Sequence, residues 1–331
     1  MKHENIGAII LAAGLGKRMK SKLIKILHPI CGQPMIAYVI DALNKLGIQK
    51  RVIVLGHQME RVAEFLNDRN VEIAVQERPL GTGDAVKSAE QLFDEWRGST
   101  SDTGSISDTG DVLVLSGDTP LISDNTLERL IETHHVSGAE ATILTVEMQN
   151  PTGYGRIVKD NEGYILRIVE ETDAVPEERA IKTVNTGTYC FKVSALFSAL
   201  KMVSPSNAQG EYYLTDVFEI LNSQGGKIAS VSADSSVEVM GINSRKELAV
   251  AETYLRRQIL DNLMDNGVTI TSPETVFIDR GVKIGQDTVV HPFTAILGQS
   301  VIGKDCVIGP HACIIDAVIK DEATVVFSSI K

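Results

Sequence analysis

The chain has 331 residues, of which 43% are hydrophobic and 23% charged, a composition that suits a globular protein of about two domains. Its formal net charge of −11 at pH 7 argues against nucleic acids and anionic membrane surfaces as partners. No apolar run approaches the roughly 18 residues of a membrane span, and the four cysteines contain no CxxC pair, so we expect a cytoplasmic protein without integral membrane contact, disulfides or structural zinc.

One basic segment near the amino terminus departs from this acidic composition. Residues 5–40 contain no Asp or Glu, although about five are expected from the average composition. The same segment carries a group of cations, namely Lys17, Arg18, Lys20, Lys22 and Lys25. This local excess of positive charge predicts a binding site for an anion such as a phosphate chain.

Short apolar runs alternate with helical periodicity through the first two thirds of the chain. Strands are predicted at residues 6–11, 52–55, 72–75, 112–115, 141–146 and 227–232. Helices are predicted at residues 35–46, 59–66, 83–96 and 125–135. Between them, residues 98–110 contain no strong hydrophobe except Ile106, which predicts a mobile surface loop without a direct functional role. The order predicts an α/β domain with a mostly parallel sheet, whose ligands bind beyond the carboxyl ends of the strands.

The last part of the chain has a different period. A capping box at residues 244–247 predicts the start of a helix that ends near residues 266–267. From Ile284 to Ile314 an aliphatic residue stands at every sixth position, which is the period of a parallel β-helix built from hexapeptide repeats. About two coils are predicted between Ile284 and Ile319, and the period slips at residues 318–319, which predicts an incomplete last coil. The predicted organisation is residues 1–243, a linker helix 244–267 and a short β-helix 268–331.

A glycine-rich loop follows the first predicted strand. Its sequence, LAAGLGKRM, places Gly14 and Gly16 where the backbone could approach a phosphate chain, with Arg18 and Lys25 available to neutralise charge. The loop lacks the third glycine of the dinucleotide-binding pattern and contains no GxxxxGK[ST]. A plain tight turn is therefore the alternative to a phosphate-binding loop.

Two further motifs stand at the ends of predicted elements, one directly after a strand and one at the start of a helix. Asp118 follows the buried strand of VLVLSGDTPL, a position suited to a Mg²⁺ ligand that bridges substrate phosphates, and a turn or cap aspartate is the alternative. In ERPLGTGDA, residues 81–83 open a helix whose amides and Thr82 hydroxyl could bind a base or a phosphate. An ordinary helix start explains the second motif equally well.

Taken together, the motifs resemble those of the sugar-1-phosphate nucleotidylyltransferases. In family order they are LAAGLGKRM with Lys25, LGTG after Gln76, GDTPL, PTGYGRI at 151–157, VEE at 169–171, NTG at 185–187, NAQGEYYLTD at 207–216 and GINSR at 241–245. With the hexapeptide repeats, the resemblance covers nearly the whole chain and narrows to bifunctional bacterial members that acetylate glucosamine-1-phosphate and couple the product to UTP. It implies a Rossmann-like nucleotidyltransferase domain with a mostly parallel sheet, followed by a short left-handed parallel β-helix.

The resemblance also implies a reaction and its residues. UTP and N-acetylglucosamine-1-phosphate would give UDP-N-acetylglucosamine and pyrophosphate, with Mg²⁺ as cofactor. The implied catalytic residues are Arg18 and Lys25, and the implied metal ligands are Asp118 and Asn243. The implied nucleotide-binding residues are Leu11, Ala12, Ala13, Gly14, Gln76, Gly81 and Thr82. The implied sugar-binding residues are Gly155, Glu170 and Asn185; a solvated Glu170 is the alternative.

Two positions depart from the family pattern. Lys17 stands where the family usually has a small hydroxyl residue, and Ile24 replaces a proline before Lys25. Other functions remain open: another hexose-1-phosphate or nucleotide, acetyl transfer by the β-helix, or a non-catalytic binding module. Retention of Arg18, Lys25 and Asp118 favours an enzyme, and the few predicted coils favour an absent acetyltransferase. Because β-helices of this kind often trimerise, a homotrimer is one expected assembly.

Overall fold

The computed structural model describes residues 3–14, 16–56, 59–99 and 110–331. Contacts divide the chain into two compact units, Met1–Ile26 with Ile36–Gly241, and Leu27–Met35 with Ile242–Lys331. Most of the predicted loop at 98–110 lies outside the described residues, and the three-part domain division stays a prediction. None of the helices in the described ranges combines the length and the apolar character needed to cross a bilayer.

The described strands and helices are as follows. The strands up to residue 232 are β1 (Ile6–Leu11), β2 (Pro29–Ile30), β3 (Gln33–Pro34), β4 (Lys50–Leu55), β5 (Glu72–Val75), β6 (Asp111–Ser116), β7 (Ala141–Glu147), β8 (Arg156–Lys159), β9 (Ile165–Val169), β10 (Thr183–Lys192) and β11 (Ile228–Ser232). The later strands are β12 (Thr269–Ile270), β13 (Phe277–Ile278), β14 (Lys283–Ile284), β15 (Val289–Val290), β16 (Ala295–Leu297), β17 (Val301–Ile302), β18 (Val307–Ile308), β19 (Cys313–Ile315), β20 (Val318–Ile319), β21 (Thr324–Val325) and β22 (Ser329–Ile330). The helices are α1 (Met35–Lys45), α2 (Met59–Leu66), α3 (Thr82–Lys87), α4 (Glu90–Ser99), α5 (Asp124–Ser137), α6 (Pro176–Arg179), α7 (Val193–Leu200), α8 (Asp216–Ser223) and α9 (Arg245–Asp265).

The first unit is built on one sheet with the order β11-β7-β10-β6-β1-β4-β5. Strands β6, β1, β4 and β5 run parallel, β10 runs antiparallel between β6 and β7, and the β8–β9 hairpin extends from β10. Ile9 and Ile10 of β1 point to opposite faces and both are fully buried, so both faces of the central strands are covered. The carboxyl ends of the four parallel strands therefore meet at one edge of the sheet.

The predicted strands match the structure within two residues at each end, and so do three of the four predicted helices. The helix predicted over 83–96 is wrong, because α3 ends and α4 begins within that range. The Ser88 hydroxyl donates to the Ala85 carbonyl (2.6 Å), and the Ala89 N–H donates to the carbonyl of Val86 (3.0 Å). These bonds span three residues and tighten the chain into a turn that interrupts the helix.

The second unit contains α9 and a parallel β-helix. The helix begins at the predicted cap, where Ser244 Oγ accepts from the N–H of Glu247 (3.3 Å) and Glu247 Oε2 accepts from the N–H of Asn243 (2.7 Å). Strands β12 to β22 form three parallel ladders, β12-β15-β18-β21, β13-β16-β19-β22 and β14-β17-β20. Successive strands thus lie on successive faces of the β-helix, and its left-handed sense stays a prediction.

The prediction of about two coils between Ile284 and Ile319 is confirmed, because β14, β17 and β20 follow one another in a single ladder. Within residues 269–330, which the structure describes fully, the strands pair through three complete coils and two further strands. The hexapeptide period slips because the turn between β19 and β20 is one residue shorter than the turn between β16 and β17. Ile302 still pairs with Ile319, so the ladder continues although the sequence spacing changes.

Candidate active site

A cavity of about 330 Å³ opens at the sheet edge where β1 and β6 end. All seven residues predicted to bind a nucleotide line it, together with Lys25 and Asp118: Leu11, Ala12, Ala13, Gly14, Gln76, Gly81 and Thr82. The strands explain this convergence. The Leu11 carbonyl at the end of β1 accepts from the N–H of Gly117 (2.9 Å), directly after β6, and Gln76 directly follows β5.

The glycine-rich loop after β1 serves two different purposes. A methyl group on Gly14 would meet no heavy atom of the described residues within 4 Å, so the backbone there is open to a ligand. Gly16 instead has a left-handed φ of 57°, and a methyl group on it would lie 2.8 Å from Cβ of Lys25. Gly16 is therefore required for the close approach of the loop to Lys25.

Lys25 and Asp118 form an ion pair inside the cavity. Lys25 Nζ donates to Asp118 Oδ2, and the Ser116 hydroxyl donates to Asp118 Oδ1 (2.7 Å). The two charged side chains are only 12% and 11% exposed, so their attraction is weakly screened by water. The cavity thus holds a cation beside a carboxylate whose two oxygens both accept hydrogen bonds.

The donors in this cavity fit a magnesium ion that binds together with phosphates. Asp118 and Ser116 offer oxygens, and Mg²⁺ typically takes one or two carboxylates and completes its shell with water and phosphate oxygens. No group of three or more His, Cys, Asp or Glu side chains in the described residues could hold a metal ion alone. Asn243, the second predicted ligand, lies before α9 in the second unit, so its pairing with Asp118 stays a prediction.

Arg18 lies outside the set of residues that line the cavity. It belongs to a short 3-10 turn, Lys17–Met19, in which the fully buried Met19 anchors the chain and Arg18 is exposed. Because its guanidinium is exposed, Arg18 can contact an anion only on the solvent side of the site.

The three residues predicted to bind the sugar form a second cluster. The N–H of Asn185 donates to the carbonyl of Gly155 (2.8 Å), and a methyl group on Gly155 would lie 3.4 Å from Glu170 Oε2. Burial raises the pKa of Glu170, and a hydrogen bond from the hydroxyl of Thr215 to Glu170 Oε1 (3.0 Å) opposes this rise. Asn185 Nδ2 donates to the hydroxyl of Tyr189 (2.7 Å). Glu170 is thus a partly buried carboxyl that Thr215 positions.

The segment 212–215 connects the cavity with the cluster around Glu170, a role that the sequence did not reveal. The Tyr212 carbonyl accepts from the N–H of Gly83 (2.8 Å) at the start of α3, and the Thr82 hydroxyl accepts from the N–H of Leu214 (3.1 Å). The next residue, Thr215, holds Glu170. The motif NAQGEYYLTD marked this segment, but its long-range partners have no signature in the spacing.

Comparisons with known proteins agree with this arrangement. The nucleotidyl transferase family model matches residues 7–236, and the bacterial transferase hexapeptide model (six repeats) matches residues 281–316. The chain is 48% identical over 301 residues to the bifunctional protein GlmU of Shouchella clausii, and 46% identical over 327 residues to that of Thermoanaerobacter pseudethanolicus. These matches cover 91% and 99% of the chain, and 63% and 68% of the two relatives. The chain belongs to the GlmU family of nucleotidyl transferases.

The chain spans about two thirds of the length of the GlmU proteins that it matches. In this GlmU-family chain, the described nucleotidyl transferase region holds both the cavity with Lys25 and Asp118 and the cluster around Glu170. The hexapeptide match falls wholly within the β-helix of the second unit.

A buried arginine supports the cluster around Glu170. The Arg156 side chain is 2% exposed, and its guanidinium donates to the Tyr154 carbonyl and to Glu171 Oε2 (2.7 Å). The same Oε2 accepts from the N–H of Gly153 (3.0 Å), which ties down the loop before Gly155. The bonds from Arg156 and Gly153 lower the pKa of Glu171.

Replacing Glu171 by alanine is expected to destabilise the GlmU-family chain. The Arg156 charge would remain buried without its carboxylate, and because Glu171 is itself about a third exposed, we expect a loss of about 2 kcal/mol. Urea unfolding of Glu171→Ala measures this, and Glu177→Ala, in the exposed first turn of α6, is the matched control. Equal free energies of unfolding for the two variants would show that Glu171 does not compensate the buried charge of Arg156.

An acidic cavity of about 390 Å³ adjoins Glu170. It is also lined by Asp173, Asp216 and Glu219. Burial, together with the charges of Glu219, Glu170 and Asp173, raises the pKa of Asp216 from 3.8 to about 6. Because the folded state binds this proton more tightly than the unfolded state, stability is lost as the pH rises from about 4 to 6.

Replacing Asp216 by asparagine is therefore expected to stabilise the protein at pH 7.5 and not at pH 4. A two-unit shift corresponds to roughly 3 kcal/mol, and half-exposure of the side chain reduces the expected gain to about 1 kcal/mol. Urea unfolding at both pH values tests this, with the exposed Glu132→Gln as control. An equal gain at both pH values would contradict the titration of Asp216 as its cause.

Proposed function

We propose that the chain transfers the uridylyl group of UTP to N-acetylglucosamine-1-phosphate and yields UDP-N-acetylglucosamine and pyrophosphate. The observation that carries the proposal is the Lys25–Asp118 pair in a cavity lined by open backbone and joined through residues 212–215 to the Glu170 cluster. The GlmU relatives support it. The absence of an acetyltransferase, the homotrimer and the cytoplasmic location stay predictions.

The chemistry requires positioned charge and little else. An oxygen of the sugar phosphate attacks the α-phosphorus of UTP, a new P–O bond forms, and the bond between the α-phosphorus and the β-bridging oxygen breaks with its electrons leaving on pyrophosphate. A sugar phosphate is already an anion at pH 7, so no general base is needed. The site accordingly presents cations and hydrogen-bond donors instead of a proton-transfer pair.

Each charged residue has a separate proposed task. Lys25 leaves Asp118 for the phosphates and draws the attacking and α-phosphates together, while Arg18 neutralises the departing pyrophosphate from the solvent side. Asp118, with Asn243 as the second proposed ligand, would hold a Mg²⁺ ion, which would supply positive charge to the phosphates. Exchange of Lys25 from carboxylate to phosphate frees Asp118 Oδ2 for this purpose.

Selectivity rests on uncharged contacts and one partly buried carboxyl. The backbone of residues 11–14 holds the nucleotide, and Gln76, Gly81 and Thr82 recognise uracil and ribose. At the sugar, Glu170 accepts from a hydroxyl and Asn185 pairs with the N-acetyl amide, with Gly155 leaving room for the ring. A substrate without the amide would leave Asn185 poorly paired.

A pyrophosphate-release assay tests the proposal when UTP or dTTP is crossed with N-acetylglucosamine-1-phosphate or glucose-1-phosphate. We expect UTP with the N-acetylated sugar to give the highest kcat/KM, and glucose-1-phosphate to lower it by about 100-fold. Equal rates for the two sugars would remove the assigned role of Asn185. No release from any pair would refute the nucleotidyl transfer.

A further inference from the structure

Gln76 is a buried amide whose N–H groups are both used inside the protein. Its side chain is 6% exposed, and Nε2 donates to the Gly81 carbonyl (3.0 Å) and to Asp84 Oδ2 (2.8 Å). A side-chain amide has two protons on its nitrogen, so both donors are taken. Oε1 has no hydrogen-bond partner in the part of the chain that the structure describes.

The two partners determine which way the amide faces. A carbonyl oxygen and a carboxylate only accept hydrogen bonds, so a flipped Gln76 would lose both bonds and place Oε1 against two other oxygens. The bond to Asp84 is the stronger of the two because its acceptor is charged. Towards the cavity, Gln76 therefore presents an acceptor.

Asp84 acts from outside the nucleotide cavity. Among the described residues, it lines a neighbouring groove of about 270 Å³ and not the cavity of about 330 Å³, whereas Gln76 lines both. Asp84 thus reaches a bound nucleotide only through Gln76.

We propose that Asp84 is a positioning residue that holds Gln76 as an acceptor and thereby selects uracil against cytosine. This inference rests on the proposed function, in which Gln76 contacts the base. Uracil carries a proton on N3 that Oε1 accepts, whereas N3 of cytosine carries a lone pair that Oε1 repels. A glutamine free to flip would serve both bases; Asp84 prevents the flip.

The test is Asp84→Asn, which keeps the shape of the side chain and removes its charge. An asparagine can turn its own N–H group towards Oε1 of a flipped Gln76, so the amide becomes free to present a donor to cytosine. The matched control is Ser88→Ala, which alters the same groove at a hydroxyl that bonds the Ala85 carbonyl and not Gln76. Thermal unfolding verifies that both variants fold.

Two measurements separate this inference from the proposed function. Calorimetric titration with UTP, CTP and dTTP without the sugar reports base selection whether or not turnover occurs, and pyrophosphate release reports turnover. In Asp84→Asn we expect the preference for UTP over CTP to fall at least about 10-fold in both, while the ratio of UTP to dTTP, which both carry a proton on N3, changes less than about 2-fold. Ser88→Ala should retain both ratios.

The outcomes are distinct. An unchanged ratio of UTP to CTP in Asp84→Asn, or an equal change in Ser88→Ala, would overturn the role of Asp84. A change in the ratio of UTP to dTTP as large as that in UTP to CTP would mean that Asp84 acts only on the general shape of the cavity, and would also overturn it. Altered binding ratios in Asp84→Asn, together with no turnover by the wild-type chain, would support the role of Asp84 and refute the proposed function.

Discussion

Asp118→Asn is expected to lower kcat by about 10³-fold and to leave the fold intact. The substitution keeps the volume of the side chain and an oxygen for the Ser116 hydroxyl, but it removes the charge that holds Lys25 and that is proposed to bind Mg²⁺. Pyrophosphate release with saturating UTP and N-acetylglucosamine-1-phosphate measures the effect. The loss should therefore appear in turnover more than in stability.

The control for this variant is Asp68→Asn, in an exposed turn after α2. It changes the net charge of the chain by the same amount and should retain wild-type turnover. If Asp118→Asn kept more than about a tenth of wild-type kcat, the Asp118 carboxylate would not have the proposed role in stabilising the transition state.

Lys25→Met is expected to lower kcat/KM by about 10² to 10³-fold. The cation is lost from the cavity, and Asp118 keeps its charge without its partner, so the site becomes less favourable for phosphates in two ways. Lys25→Arg should restore little activity, because a longer, planar guanidinium does not replace the compact ammonium group that contacts Asp118 in the cavity. Pyrophosphate release over a range of UTP concentrations measures both variants.

Lys22→Met is the matched control for Lys25→Met, since Lys22 is an exposed cation of the same basic segment. A comparable loss in Lys22→Met would show that the total charge of the segment matters and not the position of Lys25. Because Lys25 and Asp118 contact each other, the double variant should lose much less than the product of the two single losses.

The strands and the cavity were predictable from the sequence for one physical reason. Strands of a sheet that is covered on both faces are apolar at successive positions, so β1 and β6 stand out as continuous runs. The carboxyl ends of parallel strands meet at one edge, and motifs that follow β1, β5 and β6 are therefore brought into one cavity.

What the sequence did not predict depends on long-range or single-bond effects. The apolar periodicity of residues 83–96 is compatible with one continuous helix. The break between α3 and α4 involves the bond from the Ser88 hydroxyl to the Ala85 carbonyl, which periodicity does not reveal. The link from Thr82 to Leu214 and the bond from Gln76 to Asp84 have no sequence spacing that announces them. The β-helix continues past the regular hexapeptide period because one shortened turn shifts the period while the strand pairing continues.

The most direct test of the account is a ³¹P NMR time course with UTP and N-acetylglucosamine-1-phosphate that carries ¹⁸O in its phosphate oxygens. Attack by the sugar phosphate on the α-phosphorus predicts that all of the label remains in UDP-N-acetylglucosamine and that pyrophosphate is formed unlabelled. Formation of UMP without UDP-N-acetylglucosamine, or the appearance of ¹⁸O in pyrophosphate, would contradict the proposed transfer.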